Sequence, residues 1–383
     1  MASRTALPRS VYLFALVSLF GDVSTEMLYP ILPLFLTREL GAPRTAVGII
    51  EGVADATQNI VQGASGWLAD RIGRSKPIAI VGYVLAALAK PTIGLASAWP
   101  MVLASRFVDR LGTGIRSAPR DALIASTVDE SRRGAAFGLE GIGDNMGAVL
   151  GPLLAALLLY VLHVQTRAIF LIAFVPGLVA VALITSVPET RAARVNEERF
   201  DVRALPTAYW RYLAAIVVFG IGNASSAFLI LRASDVGVPA ELTLIVYAGY
   251  NLVAALASYP AGRLSDTWGR KPVMVATLAV FAATFALLAV ASTGALVAVA
   301  FGLYGLYRGA LRTAGKALAV DLAPAELRAT GVGMYSSAIG LSALVAGAIA
   351  GGLWDRIGAA ATFGWGAGCG AVGAILLALL VRR

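Results

Sequence analysis

The sequence predicts an all-α membrane protein, with twelve transmembrane helices in two pseudo-symmetric six-helix bundles. Three observations lead there. The chain of 383 residues is 58% hydrophobic and 14% charged, with a mean hydropathy of +0.78, more apolar than soluble domains are. Apolar runs of about 20 residues recur along most of its length, enough at 1.5 Å per residue to cross a hydrocarbon core of about 30 Å. A nine-residue loop sequence, GWLADRIGR at Gly66 to Arg74, returns as GRLSDTWGR at Gly262 to Arg270. Stretches such as LVAALA and ILLALLV are apolar on every side, which suits helices and not the alternating strands of a barrel.

The first span, 11–36, follows MASRTALPRS; its apolar run is too long, and too polar at its end, for a cleaved signal. It contains FGDVSTEMLYP, where Asp22 and Glu26 lie one helical turn apart and share a face. The second span, 45–68, repeats that spacing at Glu51 and Asp55, followed by Gln58, Asn59 and Gln62, and ends in the first loop sequence. After the third span, 77–97, the fourth, 100–122, carries Arg106, Asp109, Arg110, Arg116 and Arg120. At 100° per residue these fall in a stripe about 120° wide, which must face protein or water. The fifth span, 134–161, holds a third acidic pair, Glu140 and Asp144, and the sixth is 168–187. Charges at membrane depth cost roughly 2.5–3.5 kcal/mol each on insertion scales, so these acids and arginines should look into a cavity or toward one another.

The polar connector PETRAARVNEERFDVRALP, Pro188 to Pro206, divides the spans six and six. The expected organisation is an N-terminal bundle over 1–187, a cytoplasmic linker over 188–208 and a C-terminal bundle over 209–383. Spans 209–231, 239–261, 272–291, 294–318, 329–353 and 359–381 make up the second bundle. Aligning the repeated loops sets Asn251 opposite Asp55 and Tyr247 opposite Glu51; aligning the first spans at Phe20 and Phe219 sets Ser225 opposite Glu26. Protonatable groups are thus concentrated in the first bundle. The second offers Asn223, Tyr247, Tyr250, Asn251, Tyr304, Tyr307 and Arg308, a wall of aromatic and hydrogen-bonding groups suited to a solute. Each tyrosine alone reads equally well as interhelical packing.

The net charge of +9 does not point to nucleic acid, because its cations are spread through short loops. With the N-terminus inside, the cytoplasmic segments outweigh the opposite loops, which hold Arg38, Arg44, Arg167 and Arg356, by about fourfold in Lys and Arg. Both termini are therefore expected in the cytoplasm. A single cysteine, Cys369, and a single histidine, His163, leave no disulfide and no soft metal-ligand cluster, and no cofactor is expected.

The pattern G-x-L-[AS]-D-x-x-G-R, met at Gly66, Leu68, Asp70, Gly73 and Arg74 and again at Gly262, Leu264, Asp266, Gly269 and Arg270, resembles the loop signature of the major facilitator superfamily. In the fourth span LASRFVDRLGTG resembles the family's R-x-x-Q-G-x-G at Arg106 and Gly112 and departs from it at Asp109 and Arg110. In the fifth, GAVLGPLLAA resembles the exporters' G-x-x-x-G-P-x-x-G-G at Gly147, Gly151 and Pro152, with Ala155 and Ala156 in place of the closing glycines. The resemblance implies a secondary transporter of the inner or plasma membrane that works by alternating access, with the loop motifs as gates. Arg116 and Arg120 are expected to pair with Asp70 or to serve as cytoplasmic anchors.

Asp22, Glu26, Glu51, Asp55, Glu140 and Asp144 are the candidates for proton or cation handling; Arg106, Asp109 and Arg110 join the second bundle's polar wall as candidates for the substrate cavity. A static ion-pair network holding the helices together is the competing reading of the acids. The expected partners are a small-molecule substrate, protons and the lipid bilayer, and the chain is expected to act as a monomer. Export against proton entry, proton-coupled import of an anionic or zwitterionic metabolite, and metal-ion export are the readings the charges allow. No nucleophile with its base and no P-loop is present to suggest an enzyme.

Overall fold

The computed structural model describes residues 7–189, 204–324 and 327–381, together with the backbone but not the side chains of Asp70, Glu130 and Ala329. Most of the connector therefore lies outside the described residues. What is described is helical: α1 (Arg9–Glu26), α2 (Leu32–Leu34), α3 (Arg44–Ile72), α4 (Lys76–Gly94), α5 (Trp99–Ser126), α6 (Arg133–Ala156), α7 (Thr166–Ile172), α8 (Phe174–Thr185), α9 (Thr207–Gly222), α10 (Ser226–Asp235), α11 (Ala240–Trp268), α12 (Arg270–Val290), α13 (Gly294–Ala310), α14 (Lys316–Leu322), α15 (Arg328–Arg356) and α16 (Ala359–Leu380). Single π turns follow α2, α6 and α13, the last at Leu311–Gly315.

Nine helical stretches among the described residues are long and apolar enough to cross a membrane. The other three expected spans lie at α1, α3 and α5, of which α3 and α5 are the helices richest in acids and arginines. Two first spans are broken. Pro30 and Pro33 interrupt the first after Glu26, since proline removes a backbone donor and crowds the preceding turn. The corresponding span 209–231 breaks after Gly222, and Ser225 restarts it by accepting a hydrogen bond from the Ala227 N–H. Glu26 and Ser225, paired by sequence alignment, thus both lie at a helix break.

The chain divides into two compact units, Met1–Tyr29 with Ile60–Glu197, and Pro30–Asn59 with Glu198–Arg383. In the first, α4 lies against α5 and α1 against α6. Both contacts rest on glycine. A Cβ on Gly82 or Gly112 would strike the facing backbone, and Gly143, Gly147 and Gly151 give α6 one backbone-close edge along α1. Val11, Phe14, Val17, Tyr83, Leu123 and Ile124 fill the space beneath. In the second unit α16 packs on α9 and α12, and Phe219, Phe281, Phe285 and Phe363 form an aromatic core against Gly366, Gly370 and Gly373.

The start of α3 also belongs to the second unit. Pro43 before it has no side-chain acceptor, so Asp355 at the end of α15 caps it, accepting from the N–H groups of Arg44 (3.0 Å) and Thr45 (2.8 Å) and from Thr45 Oγ1 (2.7 Å). Gly48 and Gly347 bring the two helix backbones into contact. Three of the four arginines on the cation-poor loops are likewise engaged. Arg38 donates to Ser234, Arg44 pairs with Asp235, and Arg167 donates to the carbonyls of Gly94 and Ala96 at the end of α4.

Candidate functional site

The arginine stripe of α5 is buried in the first unit. Asp109, 1% exposed, is its hub: Oδ1 lies 3.1 Å from Lys90 Nζ, and Oδ2 lies 3.0 Å from Arg106 Nη1 and 3.6 Å from Arg110 Nε. The Gly82–Gly112 contact sets α4 close enough for Lys90 to reach across. Tyr29 adds a ring face 5.7 Å from the Arg106 guanidinium. Lys90 was absent from the sequence-based candidates. A lysine ahead of Pro91 near the end of the span reads as an interfacial anchor, whereas here it is 2% exposed.

Further along the stripe, the acids of α1 and α6 meet α5. Gly147 and Gly151 abut the Cβ atoms of Asp22 and Glu26, so these carboxylates lie on the α1–α6 seam. Asp22 lies in electrostatic reach of Asp144 and Glu26, and Arg116 Nη2 stands 3.9 Å from Asp22 Oδ1. The Arg116 guanidinium lies 4.4 Å over the ring of Tyr83. One turn on, Glu140 Oε1 accepts from Ser18 Oγ at 2.6 Å and from Arg120 Nη1 at 3.0 Å, and Arg120 also holds Asp121 at 3.0 Å. Asp22, Asp144, Glu140, Arg116 and Arg120 thus form one chain of charges.

This placement bears on the expected gate. Arg116 and Arg120 engage Asp22 and Glu140, while the Asp70 side chain lies outside the described residues. In both loop copies the second glycine has positive φ, +69° at Gly73 and +95° at Gly269, a conformation that favours glycine. Gly66 abuts Ala118, Gly262 has open space beside it, and Arg74 and Asp266 are exposed. Arg270 reaches Asp321 of α14 at 2.9 Å and donates to the Ala317 carbonyl. Asp321, another unpredicted partner, ties the second loop to its own bundle.

The second unit brings the predicted polar wall together. The rings of Tyr247, Tyr250, Tyr304 and Tyr307 follow one another at centroid distances of 5.2, 5.5 and 5.2 Å. Gly305 and Gly309 seat α13 against the backbone of α11, which fixes this row. Arg308 lies in electrostatic reach of Tyr250, Tyr304, Tyr307 and Asp55. Asn223 sits in the break between α9 and α10, and its Oδ1 and the Tyr307 hydroxyl face one another without closing a hydrogen bond. Glu51 is buried on α3, and Asn251 follows Tyr250 on α11. Among the described residues, no three of His, Cys, Asp and Glu converge as metal ligands.

Comparison with known proteins adds the following. The sequence profile of the Major Facilitator Superfamily matches residues 14–231 and 212–383. An MFS-type transporter of Methanocaldococcus jannaschii is 31% identical over 379 residues, covering 97% of this chain and 94% of that one. A Salmonella typhi protein named multidrug resistance protein MdtH is 27% identical over 342 residues, covering 86% and 82%. Among solved structures, the nucleoside transporter NupG superposes with a TM-score of 0.84 at 13% identity over 98% of this chain and 100% of that one. A POT family transporter in complex with 5-aminolevulinic acid gives 0.77 at 14% identity over 98% and 96%.

Proposed function

The chain belongs to the major facilitator superfamily, and on that premise we propose that this multi-pass membrane transporter is a proton-coupled antiporter exporting a small solute by alternating access. The family is one of transporters and not of enzymes. One observation supports the coupling: Asp22 on the α1–α6 seam lies in electrostatic reach of both Asp144 and Glu26, with Arg116 Nη2 3.9 Å away. Neighbouring carboxyl groups and a nearby cation each change how firmly a carboxyl holds a proton, so a change in their spacing couples proton binding to the shape of the protein. That seam joins two helices meeting edge to edge through glycine, so a shift along it alters the spacing. Export as the direction is supported by the likeness to MdtH, named a multidrug resistance protein, and by the Gly147–Gly151–Pro152 pattern.

A second reading, proton-coupled import of an anionic or zwitterionic metabolite, draws support from Arg308 beside the tyrosine row. Purified protein in liposomes, with a pH-sensitive dye inside and an imposed gradient, separates the two. An exported solute runs against the proton gradient, and an imported one runs with it. Asp22→Asn and Glu26→Gln are each expected to abolish gradient-driven movement while leaving solute exchange measurable. Gradient-driven movement at wild-type rates in both variants would remove this carboxyl cluster from the coupling.

A further inference from the structure

Three enclosed polar atoms of the first unit have no hydrogen-bond partner and lie side by side: Nε and Nη1 of Arg116 and the hydroxyl of Tyr83. Arg116 is 6% exposed and Tyr83 3%. Buried donors in folded proteins are nearly always bonded, so an arginine kept in this way calls for a role other than stability. Its guanidinium lies 4.4 Å over the ring of Tyr83 on α4, a face that attracts a cation without completing its hydrogen bonds. Asp22 Oδ1 stands 3.9 Å from Nη2, about 1 Å beyond a charge-assisted hydrogen bond. Glycine clears the space around it. A Cβ on Gly21 would lie 2.9 Å from Arg116 Nη1, and one on Gly82 would press on the Arg116 backbone and Cβ.

The other groups around Asp22 are already committed or share its charge. Glu26 is one turn away on α1, and Asp144 and then Glu140 lie across on α6. From α5, Arg120 is held by Glu140 and Asp121 at 3.0 Å each, and α8, also packed on α1, has no titratable residue. We propose that Arg116 is the mobile countercharge of the proton site and that Tyr83 is the positioning residue that sets where it rests. While Asp22 or Asp144 holds a proton, the guanidinium stays on the Tyr83 ring. When that proton leaves to water, the O–H bond breaks, the negative charge stays on the carboxylate, and Arg116 closes the remaining gap and pairs with Asp22 as a fork. Proton loss thereby becomes a pull of α5 toward α1 and a release of α4. This rests on the reading of Asp22 as a proton site and adds the element through which that site acts on its neighbours.

Titrating the carboxyls directly tests it apart from transport. Infrared difference spectra of purified protein in detergent, stepped through pH, follow the C=O stretch of protonated carboxyl groups; the part that disappears in Asp22→Asn belongs to this site. Its midpoint is expected to rise by about 1–2 pH units in Arg116→Gln, because the cation favours the carboxylate. It is expected to fall by about 0.5–1 unit in Tyr83→Leu, because an arginine without its resting ring stays closer to Asp22. Tyr83→Phe, which keeps the ring face, should hold the wild-type midpoint. In the Arg116→Gln background Tyr83→Leu should add nothing; Arg116→Met takes that place if Arg116→Gln does not fold. A Tyr83→Leu shift that is absent, of opposite sign, or equally large with and without the arginine would overturn the proposal and leave the proton site standing. The absence of any titrating band that depends on Asp22 would overturn both. The expected midpoint shifts without gradient-driven flux in liposomes would instead fault the coupling and leave the roles of Arg116 and Tyr83 in place.

Discussion

Neutralising Asp109 should damage the protein far more than removing the lysine it holds. The three cation contacts to Asp109 are 3.1, 3.0 and 3.6 Å long, and at an effective dielectric of about 20 each carries roughly 5 kcal/mol of gross attraction. That attraction is set against a desolvation cost of several kcal/mol per buried ion, which is why such clusters add little net stability yet are costly to break. Asp109→Asn erases all three attractions and leaves the cations repelling one another in a buried site. An expected loss at or above about 3–5 kcal/mol follows. Lys90→Met erases one attraction, removes one buried ammonium and keeps a side chain of similar length, so about 1–3 kcal/mol is expected. Unfolding of the two purified variants in detergent, followed by circular dichroism against heat or denaturant, gives the order directly. The double variant should cost less than the two losses added, because both remove the same contact. A loss in Lys90→Met equal to or larger than that in Asp109→Asn would refute the account of Asp109 as the hub.

Two further outcomes concern the second unit. Asp355→Ala removes the acceptor for the first N–H groups of α3 and should lower stability by about 1 kcal/mol; hydrogen exchange at Arg44 and Thr45 should quicken while the rest of α3 is unchanged. Gly347→Leu places a side chain where the Gly48 carbonyl stands, so the folded yield should collapse, whereas Gly352→Leu, with open space around it, should be tolerated; comparable yields would contradict the close helix contact.

Much of the fold was legible because lipid imposes a simple rule: a segment that crosses it must be helical and about 20 residues long. The twelve expected stretches coincide with helices, and the two loop copies announce the internal repeat. The charged residues could be assigned to faces, since spacing along one helix determines who shares a side with whom. Partners were another matter. That Lys90 meets Asp109, that Ser18 and Arg120 meet at Glu140, and that Arg270 meets Asp321 depends on the register between helices. Register is decided by where glycines let backbones touch, and 41 glycines leave too many alternatives for spacing to choose among. Arg116 shows the limit well. Its position near the end of the expected span suggested the loop, but helix α5 runs on to Ser126 and keeps it beside Asp22 and Tyr83.

The acceptor that completes the first turn of α3 comes from a residue 310 positions later in the chain. A ribosome releases the beginning of that helix long before the aspartate exists, so the newly inserted segment starts its life with bare amide hydrogens at one end. Assembly of this protein therefore has a built-in last stitch: early and late parts of the polypeptide must meet before the second helical segment is finished, and truncation ahead of Asp355 would leave it frayed however well the intervening helices had formed.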